Sequence, residues 1–149
     1  MERVLYINSE KMVLGRLGSA IAPQLLNGYE IHILNAEKAI ISGDKHSIIN
    51  AYKEKLKIQT HTTPWKGPFH YRKPDRFVKR SIRGMLPWKK PRGKEAYKRL
   101  KVYIGVPHEL KEKSFTAIPE ALVDRQRHGF ITIGDLCKQI GWNPKGETT

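Results

Sequence analysis

The sequence predicts an α/β domain: a mostly parallel sheet covered by helices. Three observations predict it. Short apolar runs alternate with segments of helical spacing from the N-terminus onward. Strand–helix–strand connections of this length produce right-handed crossovers and parallel pairing. The chain of 149 residues, 39% hydrophobic, suits one domain with a modest core. We therefore expect a single domain over residues 1–149.

The elements follow in order. Val4-Leu5-Tyr6-Ile7 reads as a strand ending at Asn8-Ser9. Leu14, Leu17, Ile21 and Leu25 recur at helical spacing, and Gly28 stands where a left-handed C-cap ends a helix. Pro23 falls inside that helix and is expected to kink it. Glu30 to Leu34 reads as a second strand and Ala39-Ile40-Ile41 as a third, closed by Ser42-Gly43. Asp44 is placed to cap a helix whose apolar side is Ile48, Ile49, Tyr52 and Leu56. Leu100 to Ile104 is a late strand, stopped by Gly105 and Pro107. Thr132 is an N-cap candidate with Asp135 three residues on, and Ile131 and Leu136 occupy the staple positions. The helix Ile133 to Ile140 would bury Ile133, Leu136, Cys137 and Ile140. The tail, residues 143–149, is expected to be flexible.

Charge is distributed unevenly. The formal net charge is +14 and the pI is about 10.0. From His61 to Lys101 there are 14 basic residues against two acids, Asp75 and Glu95. The rest of the chain carries 14 basic and 12 acidic residues and is nearly neutral. The same segment holds five of the nine prolines and six of the 13 aromatic residues. Cations contact phosphates and aromatic faces stack on exposed bases, so the 61–101 segment reads as a nucleic-acid surface rather than a solvated tail.

Within it, Pro74 to Leu86 reads as a helix, with Pro74 in the first turn and Pro87 ending it. At about 100° per residue, Arg76, Lys79, Arg80 and Arg83 fall in one arc. Phe77, Val78, Ile82, Met85 and Leu86 lie on the other side and would dock on the body. On both sides the chain is rich in proline, glycine and cations: 63–73 upstream and Pro87 to Lys94 downstream. These two arms are expected to lie extended and to order on contact. Arg72, Arg76, Lys79, Arg80, Arg83, Lys89, Lys90, Arg92 and Arg99 are the expected main phosphate contacts. Lys66, His70, Lys73, Trp88, Lys94, Lys98 and Lys101 complete the expected RNA-binding set.

Other functions fit less well. No apolar run approaches the roughly 18 residues of a membrane span. The N-terminal Met1 to Tyr6 lacks the long apolar core of a secretory signal. A single cysteine, Cys137, forms no internal disulfide and fits a reducing compartment. The six histidines show no close metal-ligand spacing. Gly15-Arg16-Leu17-Gly18 lacks the dinucleotide pattern, and Gly43-Asp44-Lys45 lacks a P-loop. An RNA-cleaving enzyme would need a carboxylate or histidine pair beside the basic face, which has almost no acids. A DNA-reading helix would carry Asn or Gln on its polar face, where this one carries only cations. The apolar side of the helix, needed for docking, argues against a membrane-surface role.

The residues also carry a family resemblance. Leu14-Gly15-Arg16-Leu17-Gly18-Ser19, Asn35-Ala36-Glu37-Lys38 and Ile41-Ser42-Gly43 come first. Arg83-Gly84-Met85-Leu86-Pro87, Arg92-Gly93, Arg99-Leu100-Lys101-Val102-Tyr103 and Gly105 follow. In this order and spacing the chain resembles the L-thirteen family of universal large-subunit ribosomal proteins, in its archaeal form, from about Val4 to Pro107. Pro23 departs from the family, whose first helix more often has a polar residue there. The resemblance implies a three-layer α/β/α fold with a four-stranded parallel sheet. It further implies direct binding to large-subunit ribosomal RNA during assembly, neighbouring ribosomal proteins as partners, and a place in the cytoplasmic ribosome. It implies no catalysis, no cofactor and no small-molecule substrate.

Overall fold

The structure is a computed structural model that describes residues 3–123 and 129–144. Its centre is a parallel ladder of β1 (Val4–Asn8), β2 (Glu30–Leu34) and β4 (Leu100–Val102), in the order β1-β2-β4. The register sets Leu5, Ile31 and Leu100 in one row and Ile7, Ile33 and Val102 in the next. Successive strand residues point to opposite faces, so these rows share one side of the sheet. That side joins the core cluster with Leu17, Ile21 and Leu25 of α1 (Leu14–Leu26) and Val78 and Ile82 of α3 (Pro74–Arg83). Tyr6, His32 and Tyr103 stand on the other face, His32 between the two tyrosine rings.

The fold class matches the expected α/β architecture with a mostly parallel sheet. Among the described residues the parallel sheet has three strands rather than the four expected, and the free edge of β1 carries an isolated bridge at Thr116. Thr116 bridges Ile7 in parallel and donates its N–H to the Tyr6 carbonyl at 2.7 Å. Pairing stops there: exposed Ala117 and half-buried Ile118 lead directly to Pro119, which has no N–H to give. The third strand, β3 (Ile40–Ser42), begins one residue later than the apolar run suggested. It pairs antiparallel with β5 (Phe130–Thr132), a strand too short to recognise from spacing.

Helix ends match local chemistry. At the end of α1 the Gly28 N–H bonds the Leu25 carbonyl and the Tyr29 N–H bonds the Gln24 carbonyl, a Schellman arrangement. Gly28 holds φ +94°, which a side chain would resist. Pro23 lies one turn before that end, with α1 continuing through it. In α2 (Lys45–Lys57) the Asp44 carboxylate accepts from the Ser47 N–H at 2.9 Å. In α5 (Ile133–Gln139) the Thr132 hydroxyl accepts from the Asp135 N–H at 3.2 Å. Ile131, Ile133, Leu136, Cys137 and Ile140 are all buried, as their spacing predicts. Asn143 and Pro144 follow without regular structure; the remainder of the expected flexible tail, 145–149, lies outside the described residues.

Two expectations need correction. The downstream arm is not wholly extended: Pro91–Lys98 forms a helix, α4. Pro91 starts it, and small residues Gly93 and Ala96, one turn apart, let it pack closely on the body. The composition of charge, proline and glycine hid that small-residue face. The basic helix ends at Arg83 rather than Leu86, its last residues closing as tighter turns from Met85 to Ile82 and from Leu86 to Arg83. Pro87 is the cause, since it disfavours helical backbone at the residue before it and has no N–H to donate. Met85, expected to dock, is 40% exposed, although its sulfur reaches toward Gly18 of α1.

Candidate nucleic-acid interface

The basic surface is built on α3. Pro74 opens the helix and Phe77, Val78 and Ile82 anchor it in the core, with Leu86 beyond its end also buried. Full burial of each such side chain stabilises the fold by about 1.5–3 kcal/mol. With one face thus fixed, Arg76, Lys79, Arg80 and Arg83 are held on the other. Arg76 and Arg80 are exposed, while Lys79 and Arg83 are half-buried.

The half-buried pair lies on aromatic rings. The Arg83 guanidinium is 3.9 Å from the Trp88 ring centre, and the Lys79 ammonium is 4.9 Å from that of Tyr97. Trp88 and Tyr97 meet edge-on at 5.1 Å. Arg76 lies 5.9 Å from the Tyr71 ring. Cation–π attraction holds these heads without neutralising them. Burial pushes Lys79 below its ordinary value, with Asp75 opposing, and pushes the Tyr97 hydroxyl up. Asp75 stands in the first turn of α3, where the helix dipole favours an acid.

Two clefts flank the cationic face. One, of about 530 Å³, gathers Arg80, Arg83, Lys89 and Lys90 around Trp88. The other, of about 310 Å³, gathers Arg76, Lys79, Lys101 and Tyr103 around Asp75. Thus the structure brings together residues of α3, of the turn into α4 and of β4. Lys66, His70, Lys73, Arg92, Lys94 and Lys98 are exposed, and neither cleft is lined by them. Lys66 stands in a short 3₁₀ turn, Pro64–Lys66, and Arg92, Lys94 and Lys98 belong to α4.

Four of the expected residues make contacts with the body. Arg99 donates to the Leu25 carbonyl at 2.8 Å, completing the C-terminus of α1 together with Arg92, 3.5 Å from the Leu26 carbonyl. Lys101 pairs with Glu30, which holds the ammonium above its ordinary value and the carboxyl below its own. Arg72 lies over the C-terminal turn of α5: a Cβ built on Gly141 would stand 3.1 Å from its guanidinium. Such carbonyl-rich helix ends favour cations. Sequence spacing gave no signal for these contacts, which are 66 or more residues apart for Arg92, Arg99 and Lys101. Sequence reasoning also missed Tyr52 and Lys55 of α2, which border the upstream segment beside α3.

Among the described residues no group of His, Cys, Asp and Glu is placed to hold a metal ion, and no helix is long and apolar enough to cross a membrane. Burial pushes the Cys137 thiol up to about 12, far from a nucleophile's range. The family model described as Ribosomal protein L13 matches residues 2–109, which include β1 to β4 and the whole basic surface. The chain belongs to the ribosomal protein L13 family. It is 43% identical to the large ribosomal subunit protein uL13 of Archaeoglobus fulgidus, over 91% of this chain and 86% of that one. It is 42% identical to the uL13 of Methanococcoides burtonii, over 91% and 96% of the two chains. With that of Methanopyrus kandleri it shares 41% identity, over 94% and 88%. The resemblance read from residues 4–107 is therefore correct, including its archaeal character. L13 proteins are structural components of the large ribosomal subunit and not enzymes.

Proposed function

We propose that this chain binds large-subunit ribosomal RNA directly through α3 and the segments on either side of it, supporting assembly of the subunit in the cytoplasm. The observation that carries this is the fixed arc of Arg76, Lys79, Arg80 and Arg83, extended by Lys89, Lys90 and the exposed cations of α4. The apolar face of α3 is spent on the core, so the helix presents charge at a set position and orientation. Arginine forks match phosphate oxygens and read no sequence, which suits the holding of RNA backbones. The partners are large-subunit RNA and the neighbouring ribosomal proteins. Arg99 and Lys101, engaged with the Leu25 carbonyl and with Glu30, and Arg72, lying beside Gly141, contribute less to phosphate contact than the α3 residues.

The test is binding to purified large-subunit ribosomal RNA. Arg76→Glu with Arg80→Glu, both exposed, should cripple binding with native circular dichroism; adding Arg83→Glu should deepen the loss. Near-normal affinity in the folded double variant would remove α3 from the interface. Affinity should also fall steeply with salt, each phosphate contact contributing about 0.7–0.9 to the log–log slope.

A further inference from the structure

A cleft of about 530 Å³ opens on the other flank of α3, between that helix, α2 and the segment upstream of Pro74. We infer that it receives an unpaired RNA base, stacked on Phe69, with the attached phosphate held by Arg80 and Lys55. This rests on the RNA-binding reading above and adds a specificity to it: unpaired over fully paired RNA.

Four observations carry the inference. The walls are aromatic: Tyr52 and Phe77 meet with ring centres 5.3 Å apart, and Phe69 and Tyr71 border the same space. Phe69 is 77% exposed and Tyr71 46%, so apolar faces stand open to water beside a walled cleft. No acid lines the cleft, whereas Lys55, His70 and Arg80 do. The volume lies within the roughly 300–1,000 Å³ of small-molecule sites.

Charge decides the occupant. An apolar protein segment would satisfy the rings but would strip water from Arg80 and Lys55 without supplying an anion, which is costly. A nucleotide supplies both a flat base and a phosphate. Bases within a duplex present no free face, so the occupant is a base out of the stack. Arg80 also borders the cleft around Trp88, so the same residue joins this site to the cationic face of α3.

The test uses two RNA hairpins with the same stem, one flush and one with a single bulged nucleotide, each of the four bases tried in turn. Wild-type protein should prefer at least one bulged hairpin by about tenfold, the scale of one base–aromatic stack. Phe69→Ala, at an exposed position, should abolish the preference, leave affinity for the flush hairpin unchanged and keep native circular dichroism. Phe69→Tyr should retain the preference. Arg76→Glu should weaken both hairpins alike. Equal wild-type affinity for both hairpins, or a preference that survives Phe69→Ala, overturns the inference while leaving the RNA-binding reading intact. The second outcome would return the cleft to a protein neighbour. Failure of the wild-type protein to bind either hairpin or large-subunit RNA overturns both.

Discussion

The Arg83 guanidinium lies 3.9 Å from the centre of the Trp88 ring, and Trp88 in turn meets Tyr97 edge-on. Lys79 rests on the outer member of this pair, so two cations of α3 are bedded on rings from beyond its end. The bed restrains long side chains and so lowers the ordering cost of the phosphate contacts proposed for them.

Trp88→Ala should therefore weaken both folding and binding. Loss of one aromatic pair and one cation–π contact predicts about 1–2 kcal/mol in a denaturant titration. Trp88→Phe should recover most of the stability. A variant with unchanged stability and unchanged RNA affinity would show that the rings do not position Arg83.

Two glycines should respond with opposite signs. A Cβ at Gly93 would run into the Pro87 carbonyl, a backbone atom that has no room to yield. Gly93→Ala should cost about 1–3 kcal/mol through overpacking of α4 against that turn. At Gly15, in α1, a Cβ meets nothing within 4 Å. Gly15→Ala should gain stability, up to about 1 kcal/mol, from helix propensity alone. Chemical denaturation of the two variants side by side checks the contrast.

Acid should weaken the fold through His32. Burial of the imidazole pushes it below its ordinary value of 6.5, against the pull of Glu30 and with a smaller push from Lys101. The folded protein thus resists a proton that the unfolded chain accepts. The stability tied to neutral His32 is complete above pH 6.5 and is lost as the pH falls from there through the lower folded value. Glu30, held below its ordinary 4.5 chiefly by the hydrogen bond from Lys101, keeps its contribution to more acid pH. Urea midpoints near neutrality and in mildly acid buffer should fall for the wild type and change less for His32→Gln. Equal falls in both would assign the acid sensitivity elsewhere.

Cys137 should report unfolding. It is buried, and its thiol is pushed up to about 12. A thiol reagent should leave the native protein unlabelled and react fully once denaturant opens the core. Rapid labelling without denaturant would mean that α5 opens locally.

Much of the fold was legible because local chemistry and tertiary demand agree. Leu17, Ile21 and Leu25 repeat at the helical period and all three are fully buried. Asp44 and Thr132 cap the helices they precede, and Gly28 takes the left-handed position that ends α1. The cationic arc of α3 was equally legible, because its four positions follow from the helical period once Phe77, Val78 and Ile82 face the core. Less was legible where partners lie far apart in the chain. β5 exists because Ile131 finds Ile41 across an antiparallel ladder, and three residues carry too little pattern to announce that. α4 was hidden by its own composition: Pro91 and Gly93, which read as an open arm, are the residue that starts the helix and the one that lets it approach Pro87.

The sequence by itself determined a parallel α/β body, a strongly basic middle segment and the arc of cations that α3 presents away from the core. Periodicity, caps and charge are local properties of a chain. Only the tertiary structure decided which cations remain available. It sent Arg99 to the end of α1, paired Lys101 with Glu30 and laid Arg72 over α5. It also brought Tyr52 and Lys55 of α2 beside Phe69 and Arg80 to form a cleft. Charge counted along a sequence is blind to such pairings, because burial and proximity arise only when distant segments pack together.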